Sequence, residues 1–368
     1  MEPQTNAIGL EKAELDTPVL LVDLPTMEQN LARMADTIIR QAGVNWRPHT
    51  KGIKIPAIAR QLLDAGAIGV TCAKLGEAEV MAEGGIHDIL VANQVVGPTK
   101  ISRLVNLRRR ADVMVAVDNG QNVQDLDRAA LGKGVRLRVL IEVDVGMKRA
   151  GVEPGEPVLR LAQSIAASEG LVFSGLMAWE SPAIRIVDQE EKRRAIAKLL
   201  TQVTDSAQLC RDAGIPVDIV SCGGTGTYRF SAFHPGVTEI QAGGGIFCDL
   251  NYRRNFHVDH ACALTVLATV TSRPAPDRII CDAGRKTVNT EAAMPEAIDV
   301  PNVSDIRLSA EHGIVELSQP SERPRVADKI EFIVGYADVT VALHDVLYGI
   351  RDGVVETAWP IAGRGRLQ

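Results

Sequence analysis

Apolar positions along the first 250 residues alternate between two periods. From Thr26, the apolar residues Leu31, Met34, Ala35, Ile38 and Ile39 recur every three or four positions, which predicts one face of a helix. Thr26-Met27-Glu28-Gln29 reads as a capping box that opens it. Short apolar runs then return at 44–46, 68–71, 89–92, 113–117, 137–143, 173–178, 219–221 and 238–241, separated by helix-like segments. Eight β-runs in βα alternation predict a (β/α)8 barrel. The rival is an open doubly wound sheet, which would carry GxGxxG after its first strand; none is there.

Past Arg254 the texture changes. Long helical patterns fade, and β-rich pieces at 263–272, 278–281, 314–317, 329–334 and 339–343 are broken up by Pro and Gly. The expected organisation is α/β: a barrel over 24–254 and a C-terminal mainly β domain over 255–368, joined by residues 1–23. The apolar run at 17–22 fits either domain. No internal repeat or low-complexity segment appears.

The 368 residues suffice for two domains, and 46% hydrophobic with 23% charged residues is the composition of an ordinary soluble globular chain. A net charge of −6 with no basic block argues against nucleic acid as partner. Arg108-Arg109-Arg110 ends a helical pattern and reads as a solvated helix terminus. No apolar run is long enough to span a bilayer and no secretory signal is visible, so membrane partners are not expected and the cytoplasm is the expected compartment. Cys72, Cys210, Cys222, Cys248, Cys262 and Cys281 are dispersed without CxxC spacing and are expected reduced. Cys222 and Cys248 fall beside the proposed anion site, where they read as small apolar residues.

Active-site groups of a barrel project from the C-terminal ends of its strands. Those positions hold His49 and Lys51, Cys72 and Lys74, Asn93 and Gln94, Asp118, Asp144, Trp179 and Glu180, then Gly223-Gly224-Thr225-Gly226-Thr227-Tyr228 and Gly243-Gly244-Gly245. The two glycine clusters follow the seventh and eighth runs, where barrel phosphate sites often form. Glycines let backbone N–H groups approach an anion, and Thr225 and Thr227 add hydroxyl donors. A single glycine cluster is equally a tight turn; two at these strands favour the anion site. Lys51, an amine at the end of the first strand within Pro48-His49-Thr50-Lys51, can form an imine. An imine-forming lysine and a phosphate cradle together are what a pyridoxal phosphate (PLP) enzyme needs. Arg149, in the segment Asp144–Gly151, could face an anionic cofactor oxygen or form a structural ion pair.

PHTK around Lys51, DVGMKRAGV around Arg149, SCGGTGTY and GYADVTVALHD from Gly335 to Asp345 together resemble the D-threonine aldolase and D-serine dehydratase family, fold-type III PLP enzymes similar to bacterial alanine racemase. The resemblance runs in order across nearly the whole chain. It implies a PLP-binding (β/α)8 TIM barrel with a C-terminal β domain, a homodimer, and Lys51 as the Schiff-base lysine. It implies Gly223, Gly224, Thr225, Gly226, Thr227, Tyr228, Gly243 and Gly244 at the phosphate, Arg149 beside the cofactor ring, and His49 in the catalytic neighbourhood. One departure matters. The family sets a metal on a His-x-Asp or His-x-Cys pair, where this chain has Tyr336 and Asp338. Loss of imidazole disfavours zinc. Either Asp338, with waters and Tyr336 beside it, holds Mn²⁺ or Mg²⁺, or Tyr336 replaces the metal by donating a proton or hydrogen bond to the substrate hydroxyl, or both residues are structural. His344 and Asp345 belong to the family pattern without being its metal pair; His260 and His312 read as packed or surface histidines.

The resemblance implies a lyase acting on small D-β-hydroxy-α-amino acids such as D-threonine or 3-hydroxy-D-aspartate. Dehydration expels hydroxide and wants a Lewis acid, so erosion of the metal pair favours retro-aldol cleavage to glycine and an aldehyde. A dehydratase, a racemase using Tyr336 as second acid–base group, and a non-enzymatic PLP carrier are the rivals. Trp179, Glu180 and Arg185 are candidates for lining the side-chain pocket.

Overall fold

The computed structural model describes residues 7–368. Contacts divide the chain into two units. One takes the residues up to Leu31, Gly52–Ile55 and Gly244–Arg364; the other takes Ala32–Lys51, Pro56–Gly243 and Gly365–Gln368.

The chain enters on β1 (Val19–Asp23) and α1 (Leu24–Ala35). The predicted capping box at Thr26 is not the helix start. The Thr26 N–H donates to Asp23 Oδ1 at 2.9 Å, so Asp23 caps the helix three residues earlier, and Pro25 sits in the first turn, where no N–H is needed.

All eight predicted barrel runs are strands: β2 (Asn45–Trp46), β3 (Val70–Cys72), β4 (Asp88–Gln94), β5 (Asp112–Val117), β6 (Leu137–Glu142), β7 (Leu171–Met177), β8 (Ile219–Cys222) and β9 (Glu239–Ile240). They form one parallel sheet in the order β2-β9-β8-β7-β6-β5-β4-β3. A parallel bridge between His49 and Thr71 brings β3 back to β2 and closes the ring. Leu90, Met114, Ala116, Leu140 and Met177, from four neighbouring strands, pack as one buried cluster.

The seam at the two-residue strands β2 and β9 is held by charge. Buried Arg47 donates from Nη1 and Nη2 to both oxygens of Asp88 (2.6 and 3.2 Å) and from Nε to Glu239 Oε2 (2.9 Å). Ser221 donates to the other Glu239 oxygen at 2.7 Å, and Gln241 donates to Ser221. Every buried charge is therefore met, the condition under which such a network holds.

The crossover helices are α2 (Pro56–Asp64), α3 (Leu75–Glu83), α4 (Pro98–Arg108), α5 (Gly120–Gly132), α6 (Glu156–Ala166), α7 (Gln189–Asp212) and the single turn α8 (Tyr228–Ser231). Their starts are written locally: prolines open α2 and α4, while Asn119 and Asp188 accept from backbone N–H groups at the heads of α5 and α7.

The second unit holds α9 (Leu250–Asn255), β10 (Leu264–Ala275), β11 (Arg278–Cys281), β12 (Glu296–Ile298), β13 (Val303–Leu308), β14 (Gly313–Leu317), β15 (Lys329–Ile333), α10 (Ala337–Thr340), β16 (Val346–Arg351) and β17 (Val354–Pro360). The sheet runs β13-β14-β11-β10-β1-β16-β17, with β15 also on β10 and β12 on β15. The run at 17–22 thus belongs here, as β1 between antiparallel β10 and parallel β16. One expected strand is wrong. Residues 339–343 form the end of α10 and a 3-10 turn over Val341–Leu343. Tertiary contact overrides the β-branched run: buried Asp249 accepts the Ala337 N–H at 2.8 Å, and Thr340 Oγ1 bonds back to Tyr336 O at 2.8 Å.

Candidate functional site

In the barrel unit, the loops after β2, β6, β7 and β8 bring most of the expected residues together. Trp179, directly after β7, is the piece they share. Lys51 Nζ lies 5.9 Å from the centroid of its indole, and the Arg149 guanidinium carbon 5.6 Å. Both distances are within cation–π range. The indole also abuts the glycine loop: a Cβ on Gly224 would fall 3.0 Å from Trp179 Nε1.

Each of these groups is held by its own loop. The Lys51 N–H donates to His49 Nδ1 at 3.3 Å, and the His49 N–H donates to Gln241 O at 2.8 Å, so PHTK is pinned to the barrel rim. Gly243 must be glycine here, because a Cβ would lie 2.2 Å from His49 O. Arg149 stands on a loop whose turn is shaped by Asp144, which accepts from the N–H groups of Gly146 (2.9 Å) and Lys148 (3.1 Å). Asp118 accepts the Gly151 N–H at 3.0 Å. Arg149 itself is half exposed and meets Glu142 Oε1 at 3.4 Å; Gln94 donates to the other Glu142 oxygen at 2.6 Å. Asn93 instead donates to Ala73 O, Cys72 lies buried, and Lys74 only heads α3; these three rim positions serve structure.

The loop Gly223–Tyr228 has the form of an anion cradle. Gly223 takes φ +77°, which a side chain would disfavour. The Gly224 N–H donates to Thr227 Oγ1 at 3.0 Å, and Gly224 O accepts from Thr227 and Tyr228, closing a tight turn into α8. Within that turn the N–H groups of Thr225 and Gly226 donate to no acceptor among the described residues. Two backbone donors so arranged, with an amine and a guanidinium over one indole, fit a phosphorylated aldehyde cofactor.

In the other unit, Gly244 lies against Tyr252, whose hydroxyl would be 2.5 Å from a Cβ there. Tyr336 donates its hydroxyl to Asp338 Oδ2 at 3.0 Å. Burial, reinforced by Asp338, holds the Tyr336 hydroxyl far above its ordinary value, so it stays protonated. Asp338 packs on Gly52, where a Cβ would meet Asp338 Oδ1 at 2.3 Å. His344 bonds through Nε2 to Thr287 O, and burial lowers its pKa; Asp345 pairs with Arg364. His260 is buried against Gly245 O, and His312 is exposed. Cys222 is fully buried with its thiol pushed up by burial, and Cys248 is likewise buried with its thiol pushed up beside Cys262.

Sequence reasoning left out two groups and undervalued a third. Glu142 orients Arg149, and its signal was a carboxylate at the end of a mainly apolar strand. Asp249 ties down the Tyr336 segment, with no local signal. Trp179 was expected only to line a pocket, whereas it joins three site elements.

The alanine racemase N-terminal domain model matches residues 22–250, and a D-serine dehydratase-like domain matches 263–350. The chain is 38% identical to D-threonine aldolase from an Arthrobacter species, over 96% of this chain and 94% of that one. It is 34% identical to 3-hydroxy-D-aspartate aldolase from Paracoccus denitrificans, over 97% and 94%. The crystal structure of D-threonine aldolase from Filomicrobium marinum matches with a TM-score of 0.94 at 35% identity, covering 98% of this chain and 99% of that one. On an alanine racemase-like barrel with a mainly β C-terminal domain, the chain belongs to the D-threonine aldolase and 3-hydroxy-D-aspartate aldolase family.

Proposed function

We propose that this protein is a PLP-dependent lyase that splits D-β-hydroxy-α-amino acids of the D-threonine or 3-hydroxy-D-aspartate type into glycine and an aldehyde. The observation that carries the reading is the shared indole: Lys51, Arg149 and the glycine loop all meet Trp179. When bound, PLP supplies an electron sink for the carbanion left on Cα as the Cα–Cβ bond breaks.

The chain's residues supply the rest. Lys51 would be the amine that holds the cofactor aldehyde. Gly223–Tyr228 with Gly243 and Gly244 would hold the phosphate, and Arg149, steadied by Glu142, would supply positive charge to an anionic cofactor oxygen. His49 Nδ1 accepts the backbone N–H of Lys51 and so steadies the stretch of chain from which that amine extends. Retro-aldol cleavage needs the β-hydroxyl proton removed, and Tyr336 with Asp338 is the assigned relay. Tyr336 Oη accepts the substrate proton while its own hydrogen passes to Asp338 Oδ2, already 3.0 Å away. The phenol remains neutral throughout, in keeping with its raised pKa.

Mn²⁺ or Mg²⁺ at Asp338 and Tyr336 fits these residues poorly. A protonated phenol is a weak ligand, one Asp338 oxygen is engaged by it, and no group of three His, Cys, Asp or Glu side chains gathers among the described residues. The reading therefore gives a metal no step. It includes a homodimeric assembly, supported by the family resemblance and tested by sedimentation. It also includes a cytoplasmic setting; no described helix is long and apolar enough to cross a membrane.

Product analysis tests the reaction. PLP-loaded protein given D-threonine or D-threo-3-hydroxyaspartate is expected to release glycine and an aldehyde. Keto acid and ammonia without glycine would make it a dehydratase, and solvent deuterium at Cα without cleavage a racemase.

A further inference from the structure

Glu180 follows Trp179 directly, so one dipeptide after β7 carries both the indole that faces Lys51 and Arg149 and a carboxyl beneath the glycine loop. The Glu180 side chain is completely buried. Its Oε2 accepts the Gly223 N–H at 3.2 Å, and its Oε1 lies 2.5 Å from Ser231 Oγ. Gly223 begins the loop, and Ser231 ends the turn of α8 that follows it. Among the described residues no lysine, arginine or histidine forms an ion pair with this carboxyl.

We infer that Glu180 is a positioning residue for the anion loop, gripping it at Gly223 and Ser231 and so fixing where the N–H groups of Thr225 and Gly226 point. The inference rests on the phosphate role proposed above for Gly223–Tyr228. A carboxyl buried without a cation favours its neutral acid, and burial does raise this one. As a carboxylate, Glu180 accepts the Ser231 hydroxyl hydrogen; as an acid it donates its own along the same 2.5 Å contact. Ser231 then passes its own hydrogen to Thr227 O at 3.2 Å, inside the loop itself. A neutral acid also avoids placing a negative charge beneath a bound phosphate, where a carboxylate would repel it.

The test compares wild type, E180Q, E180A and S231A for affinity toward PLP and toward pyridoxal, which lacks the phosphate, with the ³¹P resonance of bound PLP as a second readout. E180Q keeps a neutral donor of the same shape and is expected to stay within about twofold of wild type for PLP. E180A and S231A are expected to bind PLP roughly tenfold more weakly, with a shifted ³¹P resonance and unchanged pyridoxal affinity. S231A serves alone if E180A fails to fold. Equal losses for PLP and pyridoxal, or an unmoved ³¹P resonance, overturn the inference and leave Glu180 a general structural residue. E180Q as weak as E180A overturns the neutral-acid assignment. A wild type that does not prefer PLP over pyridoxal instead overturns the phosphate role of the loop, and this inference with it.

Discussion

Tyr336 donates its phenolic hydrogen to Oδ2 of Asp338 across 3.0 Å, so the pair is joined by a hydrogen bond in the place where the family resemblance sets two metal ligands. A neutral phenol cannot replace imidazole as a ligand, but it can pass a proton. Glycine release is therefore expected to survive EDTA. Y336F is expected to lose about 10²–10³ in kcat while PLP stays bound, the usual scale for a displaced acid–base group. Y336H recreates a His-x-Asp pair and is expected to gain activity with Mn²⁺. Steady-state rates with and without EDTA check all three, and loss of wild-type activity in EDTA would return the metal to the mechanism.

Much of this site was legible in order along the chain, because barrel topology turns sequence position into place. Eight apolar runs located eight strand ends, and residues from the loops after β2, β6 and β8 meet at Trp179 after β7. What was not legible depends on contacts distant in sequence. Asp249 holds α10 from 88 residues away, turning an expected strand at 339–343 into helix. Glu142 holds Arg149 through a bond that a list of strand ends does not contain. The head of α1 was misplaced for a local reason: two competing caps lie three residues apart, and Asp23 is the one that reaches a backbone N–H.

If Trp179 organises Lys51 and Arg149, removing its ring should disturb both cations together. W179A is expected to weaken PLP binding and shift the visible absorption of the Lys51-bound cofactor, whereas W179F keeps a ring face and most of the effect of tryptophan. The cation–π component is about 0.5–2 kcal/mol per cation, roughly a twofold to thirtyfold change in affinity. Absorbance titration with PLP measures it. K51A should abolish the bound-cofactor spectrum altogether, and retention of that spectrum would refute the assignment of Lys51.

Two glycines report on separate parts of the machinery. At Gly243 a Cβ would press on His49 O at 2.2 Å, and at Gly52 it would press on Asp338 Oδ1 at 2.3 Å, both too close to be accommodated without movement. G243A is expected to lower PLP affinity by disturbing the rim around His49. G52A should leave PLP binding near wild type and depress kcat, because it displaces the carboxylate of the proton relay. A G52A variant with normal kcat would separate Asp338 from the chemistry.

Lys192 gives a pH signature. Its side chain is buried, it donates to Ile184 O at 2.9 Å in the segment just past Glu180, and burial pushes its pKa down to about 8. An unfolded lysine titrates near 10.4. Below about pH 8 the ammonium is charged in both states, and its burial destabilises the fold by a constant amount. Between about 8 and 10.4 the unfolded chain holds the proton that the folded chain has released, so stability rises with pH in that window. The rise approaches about 1.4 kcal/mol per pH unit, of order 2–3 kcal/mol in all. K192M has no such proton to release. Denaturant unfolding of both proteins at pH 7, 8, 9 and 10 should show wild type gaining on K192M across the series. Parallel curves would mean that Lys192 keeps an ordinary lysine pKa and that its ammonium is not buried in solution.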